Sequence, residues 1–191
     1  IHHIFPAGAI GLDSDPKLLE VSRNTIEAMH RWHDGNGFAS WYTACARVGC
    51  DPKTILTKLR EECDRSSMPN LLLSYGGGGI ENVSGFLAIN EMLLQSHRGY
   101  IEVFPAVPAE WKDCSFTTLR AEGAVLVSAV RKEGITRHIE ISATAPVTCT
   151  LRLPFSHWGV TGIGNRKISR GAGTDVILQL QPGQTVRFTG K

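Results

Sequence analysis

The spacing of apolar residues changes once along the chain. Over residues 16–97 they recur at the three- and four-residue intervals of a helix, whereas from Tyr100 onward they alternate with polar residues as in strands. We therefore predict a two-part α+β chain. A helical domain is expected at 1–98 and a β domain at 99–191.

Four helices are predicted in the first part. Asp15-Pro16 and Asp51-Pro52 each place an N-cap residue before a proline at the first helical position, where the missing N–H costs nothing. The repeated start indicates stacked helical hairpins. Between them, a helix from Gly37 to Val48 ends before Gly49. The fourth helix, Val83–His97, is apolar on nearly every side, which is typical of a buried helix. We expect some of its packing partners to lie outside this sequence or in another subunit.

Short segments in which apolar and polar residues alternate make up the second part of the chain. Glu133-Gly134 predicts a tight hairpin turn, and Pro182-Gly183 a type II turn in which glycine supplies the positive φ. About seven or eight strands in some 90 residues are typical of an antiparallel β-sandwich. The alternation is clearest in 139–141, 147–153, 176–180 and 186–188.

Charge and cysteine content limit the classes of molecule that the chain is expected to bind. The 20 basic and 18 acidic residues are spread without blocks, so neither nucleic acid nor a membrane surface is expected as a partner. No apolar run reaches the roughly 20 residues of a membrane span. Five cysteines at irregular spacing form no zinc or disulfide pattern, so free thiols and no cofactor are expected. Cys45 and Cys50 would meet only if the helix end between them bends.

The glycine-rich segment after Tyr75 is a candidate for chemistry. Four glycines lead into Glu81-Asn82, which places a carboxylate and an amide at the start of the apolar helix, beside backbone that a ligand can approach. A flexible connector is the alternative interpretation. A phosphate loop is excluded because no Lys-Ser/Thr follows the glycines. A carboxylate facing helix-start N–H groups stays ionised, which suits a general base or a residue that orients one.

A second polar cluster surrounds Trp32 and His33. Aromatic rings beside amides and carboxylates are typical of sugar sites, which makes Trp32, His33 and Asn36 candidates for substrate binding together with Tyr75. The alternatives are a core role for Trp32 and a simple turn at Asp34-Gly35. Near the N-terminus His3 is a further substrate-binding candidate. No metal site is predicted, because no third ligand stands at a recognisable spacing from His2 and His3.

Several of these segments, in the same order, resemble the C-terminal part of glycoside hydrolase family 95 and its close relatives. The segments that carry the resemblance are Ile4–Gly8, Gly79–Gly85, Ile89–His97, Ile101–Pro108 and Leu119–Ala124. The resemblance implies terminal helical hairpins of an (α/α)6 toroid followed by a β-sandwich. It also implies inverting hydrolysis of α-L-fucoside-like or α-L-galactoside bonds in a glycoside or oligosaccharide, by a bacterial enzyme that is secreted or periplasmic.

The resemblance also assigns roles to residues. The family's general-acid Glu and its pair of water-positioning Asn residues lie upstream of anything matched here. Its carboxylate loop reads Asp-Gly-Asn; Asn82 matches the loop Asn, and Glu81 precedes it without the intervening Gly. Glu81 is therefore the candidate that orients the water-activating amides. Inversion needs an acid and a base about 6.5 to 9.5 Å apart, so the chain alone is predicted to be inactive.

Two further expectations complete the hypothesis. A start at Ile1 rather than Met suggests a processed or excised beginning, so the chain is expected to work with a missing N-terminal part of the toroid or by self-association. The alternative function is a non-catalytic carbohydrate-binding or structural module. Such a module would present a surface row of aromatic side chains, and several of the strand aromatics are predicted to face inward instead.

Overall fold

The structure, a computed structural model, describes residues 1–35, 38–74, 85–162 and 168–190. It is α+β, as predicted, and divides into two compact units. The first unit comprises Ile1–Met92 together with Ala106–Pro108, and the second comprises Leu93–Pro105 together with the residues from Ala109 onward. The predicted domain boundary between residues 98 and 99 falls inside the second unit.

The first unit contains four helices, and local signals set where they begin and end. They are α1 Pro16–Met29, α2 Phe38–Arg47, α3 Pro52–Ser66 and α4 Gly85–Leu93. Both predicted N-caps are confirmed: Asp15 accepts hydrogen bonds from two backbone N–H groups of α1, and Asp51 does the same for α3. The side chains of these aspartates thus satisfy donors that a helix start would leave unpaired.

The fourth helix ends four residues before the predicted end. It ends at Leu93 rather than His97, because Leu94–Gln95 (β1) pairs antiparallel with Glu102–Val103 (β2). Its predicted start at Val83 lies outside the described residues. In the described part Ala88 and Met92 are buried, whereas the Phe86 side chain is 54% exposed, which is compatible with the expectation that some packing partners of the helix lie outside this sequence. Among the described residues, α4 contributes Ala88 and Met92 to the buried core of the first unit.

That core is built mainly from α2 and from residues that face it. Its buried members include Ile4, Ile26, Trp32, Trp41, Tyr42, Cys45, Val48, Ile55, Leu59, Ala88 and Met92. A buried ion pair ties three segments of the unit together. Arg47 on α2 donates from Nε to Glu91 of α4 over 2.7 Å and from Nη1 to the carbonyl of Ile4 over 3.1 Å. Its guanidinium also lies over the Phe5 ring.

Antiparallel strands make up most of the second unit. Besides β1 and β2 they are β3 Cys114–Ala121, β4 Val125–Lys132, β5 Ile135–Ala143, β6 Val147–Arg152, β7 Trp158–Thr161, β8 Ile168–Arg170, β9 Asp175–Leu180 and β10 Thr185–Gly190. One sheet has the order β3-β4-β5-β10-β7, and another has the order β6-β9-β8. The predicted alternation is confirmed, since Ile139, Ile141, Val186 and Phe188 are all fully buried.

Both predicted turns are also confirmed. Glu133 (φ 54°) and Gly134 (φ 78°) join β4 to β5 with the two positive φ angles of a type I′ hairpin. Gly183 (φ 78°) follows Pro182 in the turn between β9 and β10, where Gln184 N–H donates to the carbonyl of Gln181 over 3.0 Å. Among the helices that the structure describes, none is long and apolar enough to cross a membrane.

Candidate functional site

The segment after α1 turns the chain so that neighbouring side chains point in different directions. His30 ends the helix in the left-handed region (φ 47°), and its N–H donates to the carbonyl of Ile26 over 3.2 Å. Arg31 and Asp34 then form an ion pair that closes the following turn. As a result Trp32 is buried, whereas the side chain of His33 is about half exposed, at 51%.

Trp32 anchors this turn in the core. The hydroxyl of Tyr42 on α2 donates to the carbonyl of Trp32 over 2.8 Å, and the Trp32 and Trp41 rings pack edge to face at a centroid distance of 6.5 Å. A residue held by its backbone and by its ring leaves little freedom to the neighbouring position. Trp32 therefore fixes the backbone position from which the His33 side chain extends. Contact between Trp32 and a substrate stays a prediction.

The His33 side chain contacts Glu62 on α3. His33 Nδ1 lies 2.5 Å from Glu62 Oε2, and the Glu62 side chain is 0% exposed. Arg65 donates to both oxygens of Glu62, over 2.5 Å from Nη2 and 3.0 Å from Nε, and the Ser66 hydroxyl donates over 2.8 Å. A buried carboxylate is costly unless it is paired and hydrogen-bonded, and these donors meet that requirement.

This arrangement determines which nitrogen of His33 is available for chemistry. A carboxylate beside a guanidinium accepts hydrogen bonds, so Nδ1 of His33 is the donor toward Glu62. In the neutral form of an imidazole whose Nδ1–H is held in this way, Nε2 is the acceptor and can take a hydrogen bond from a hydroxyl group. His33 and Glu62 thus form an oriented pair at the surface of the first unit.

The sequence pattern did not single out Glu62, Arg65 or Ser66. The buried residues of α3 are Ile55, Leu59, Glu62 and Ser66, spaced as one helical stripe. Glu62 follows Leu59 by three positions, so a carboxylate continues the buried stripe that begins with the apolar Ile55 and Leu59. That position was the available signal, because a charge on the buried face of a helix needs a partner.

The other predicted site residues lie elsewhere or outside the described residues. Asn36, Tyr75, Glu81 and Asn82 are outside the residues that the structure describes. His3 is exposed, and its carbonyl accepts the N–H of Ala9 over 2.8 Å. It borders a mostly apolar cavity of about 180 Å³ beside α1. Within the described ranges, His, Cys, Asp and Glu side chains form no group of three or more that would hold a metal ion.

The strand aromatics in the second unit offer little open ring surface. Phe116, Phe155 and Phe188 are buried, and Trp158 is half-buried, with its ring edge-on to that of Phe188 at a centroid distance of 5.3 Å. The guanidinium of Arg152 covers the Tyr100 ring at 3.6 Å from its centroid. Among the described strands, an exposed row of aromatic rings for stacking on sugars is therefore absent at these positions.

A family of known proteins matches much of the second half of the chain. Residues 95–188 match the family described as glycoside hydrolase family 95, C-terminal domain, a range that begins in β1 and ends in β10. This confirms a family 95-like C-terminal part in residues 95–188, whereas the resembling segments Ile4–Gly8 and Gly79–Gly85 lie outside the match and stay predictions. No curated protein matches the chain.

Proposed function

Proceeding from a chain that carries a glycoside hydrolase family 95-like C-terminal part, we propose that it belongs to an inverting glycosidase that cleaves α-L-fucoside-like bonds. The match of residues 95–188 is the observation that carries the proposal. A domain of this family implies a hydrolase with a carbohydrate substrate, and the finer specificity rests on the sequence resemblance.

The proposal extends to the architecture of both units. The helices of the first unit are the terminal hairpins of an (α/α)6 toroid, and the sheets of the second pack as a β-sandwich that stabilises the enzyme. Two Asp-Pro helix starts of the same kind, before α1 and α3, support the first assignment. Alternate burial along the strands supports the second, because each sheet then has one apolar face to cover.

Residue roles follow the sequence hypothesis, with one addition from the geometry. Glu81 orients the amides that activate water, and Asn82 lies beside it in the active-site wall. His33, oriented by Glu62, accepts a hydrogen bond from a sugar hydroxyl through Nε2. The remaining proposed substrate contacts are His3, Trp32, Asn36 and Tyr75.

In this proposal the chain does not act alone. The general acid comes from outside this sequence, either from an N-terminal part of the toroid or through association with another copy. The oligosaccharide or glycoside is neutral, in keeping with the balanced charge of the chain. The protein works in a bacterium as a secreted or periplasmic enzyme.

Hydrolysis of an aryl α-L-fucoside tests the assignment of Glu81. The chain alone and the product of the complete encoding reading frame are assayed side by side, each also as Glu81→Gln. We expect no turnover by the chain alone. For the complete product we expect inverted fucose by NMR, and a loss of about 10²- to 10⁴-fold in kcat in the variant, as for removal of acid–base assistance.

A Glu61→Gln variant is the matched control, since Glu61 is paired with Lys58 at the surface of α3. It is expected to retain the full rate. An unchanged kcat in the Glu81→Gln variant would show that Glu81 does not take part in the reaction. Turnover by the chain alone that disappears in Glu81→Gln would show that the chain holds a complete active site.

A further inference from the structure

The C-terminus of α2 brings two cysteines together. Val48 N–H donates to the carbonyl of Ala44 over 3.1 Å, Gly49 adopts φ 72°, and Cys50 N–H donates back to the carbonyl of Cys45 over 3.0 Å. This is a Schellman motif, in which the residue after the left-handed glycine packs against the residue five positions earlier. Those two contact positions are Cys45 and Cys50. The bend that their meeting requires is therefore supplied by Gly49.

The two thiols differ in access. Cys45 is 0% exposed within the core of the first unit, whereas Cys50 is half-buried at its edge. The backbone hydrogen bond from Cys50 to Cys45 brings the two residues side by side at this helix end. The Arg23 guanidinium lies beside the same motif, since its Nη1 donates to the carbonyl of Val48 over 2.9 Å. A reagent thus meets Cys50 first, with Cys45 directly behind it.

The neighbouring groups also shift the pKa values of the two thiols in opposite directions. The hydrogen bond from the Cys45 thiol lowers the pKa of Cys50, and the positive charge of Arg23 acts in the same direction, against the effect of burial. The same hydrogen bond, together with burial, raises the pKa of Cys45. The more accessible thiol is accordingly the better thiolate, which is the order that thiol–disulfide exchange needs.

We propose that Cys45 and Cys50 form a reversible two-cysteine exchange site that is oxidised by small-molecule disulfides. The Cys50 thiolate attacks one sulfur of the disulfide, which gives a mixed disulfide and releases one thiolate. That thiolate takes the proton of Cys45. Cys45 then attacks the Cys50 sulfur and releases the second small thiol, so two protein thiols are oxidised as one disulfide is reduced to two thiols.

The other three cysteines serve as internal references. Burial raises the pKa of the thiol at Cys63 and Cys114, and it raises that of Cys149 to about 11. All three therefore lack the thiolate character that favours attack on a disulfide. A purely structural Cys45–Cys50 contact, with the thiols acting as small apolar groups, would leave all five cysteines equally inert.

Trypsin separates the two cysteines, which makes the product easy to identify. Cleavage after Arg31, Arg47 and Lys53 places Cys45 in peptide 32–47 and Cys50 in peptide 48–53. The folded chain is equilibrated with oxidised glutathione, quenched with an alkylating agent, digested and analysed by mass spectrometry. We expect the linked pair 32–47/48–53 at about tenfold or more the level of any pair that includes another cysteine. Added reduced glutathione should reverse the link.

Two variants separate the steps. Cys45→Ala should accumulate glutathione on Cys50, because the resolving thiol is absent, and Cys63→Ala should form the link at the wild-type level. The proposal is overturned if wild-type Cys45 and Cys50 are both still fully alkylated, or if Cys50 stops at the mixed disulfide with Cys45 present. Because the decisive measurement uses the wild-type chain, a variant that fails to fold does not affect it.

Discussion

A single buried carboxylate organises the polar part of the helical unit. Glu62 is fully buried, yet its partners Arg65 and His33 have side chains that are 54% and 51% exposed. The Glu62 carboxylate is therefore buried, while the Arg65 guanidinium and the His33 imidazole are partly exposed to solvent. Such a carboxylate stabilises the fold only as long as its donors remain in place, since an unpaired buried charge is costly.

Replacing Glu62 with Gln tests this role at the scale of the residue. The variant keeps the size of the side chain but removes the charge that Arg65, Ser66 and His33 donate to, so we expect a loss of about 1–3 kcal/mol in the free energy of unfolding. Urea denaturation followed by circular dichroism measures it. Glu61→Gln, on the exposed side of the same helix, should change it by less than about 0.5 kcal/mol. Equal effects of the two variants would contradict the role given to Glu62.

Helix starts illustrate how much one side chain contributes to an element. Asp51 accepts from the backbone N–H of Thr54 over 2.9 Å and from its hydroxyl over 2.7 Å. The side-chain and backbone hydrogen bonds of Thr54 lower the pKa of Asp51. A lowered pKa means that the ionised cap stabilises the folded state fully above the pKa of the unfolded chain, and that this stabilisation is lost as pH falls through the folded value.

Asp51→Ala is therefore expected to destabilise the protein by about 1 kcal/mol near neutral pH. The difference from wild type should shrink as pH falls below about 3.9, the ordinary value for Asp. Denaturation curves across a pH series measure both quantities. Asp64→Ala, an exposed position near the other end of α3, is the control and should show neither effect. A destabilisation by Asp51→Ala that stays constant down to the lowest pH would rule out the ionised cap as its cause.

At the scale of the whole molecule, exposed apolar side chains are concentrated in the first unit. Leu18, Val21 and Met29 of α1 are 42%, 54% and 44% exposed, and they border the cavity near His3. Contiguous apolar surface of this kind marks interaction sites. It supports the proposal that further helices, or a second copy, cover part of this unit.

In a purified sample only another copy is present, so we expect the chain to self-associate through this face. Light scattering over a concentration series should show a rising average mass for wild type and a mass closer to the monomer for Val21→Lys, which places a charge on the apolar surface. Ile135→Lys is the control, because Ile135 is similarly exposed, at 57%, on a hairpin of the second unit. A monomeric wild type at every concentration would contradict the expectation.

Local signals in the sequence were sufficient for many elements and insufficient for others. The Asp-Pro starts of α1 and α3 and the Pro182-Gly183 turn were predictable because each depends on adjacent residues. The end of α4 at Leu93 was not, because it is set by pairing of β1 with a strand several residues further on.

The candidate site was predictable only in part, for a similar reason. His33 was identified from its neighbours in the sequence. Its partner Glu62 lies 29 residues further on, on the buried face of α3, and a count of apolar residues does not reveal such a position. The helix-end contact between Cys45 and Cys50 required the left-handed conformation of Gly49, which the sequence allows but does not dictate.

The position of β10 in the larger sheet determines when that sheet can be completed during synthesis. It is the last strand along the described chain, yet it lies between β5 and β7 and pairs with both. During synthesis, at about 5–20 residues per second, β5 and β7 must wait for their shared neighbour with their edges unpaired. A ribosome that stalls shortly before Thr185 would leave two open strand edges, which are templates for aggregation. Completion of this sheet therefore depends on synthesis of β10, which follows both of its partner strands in the chain.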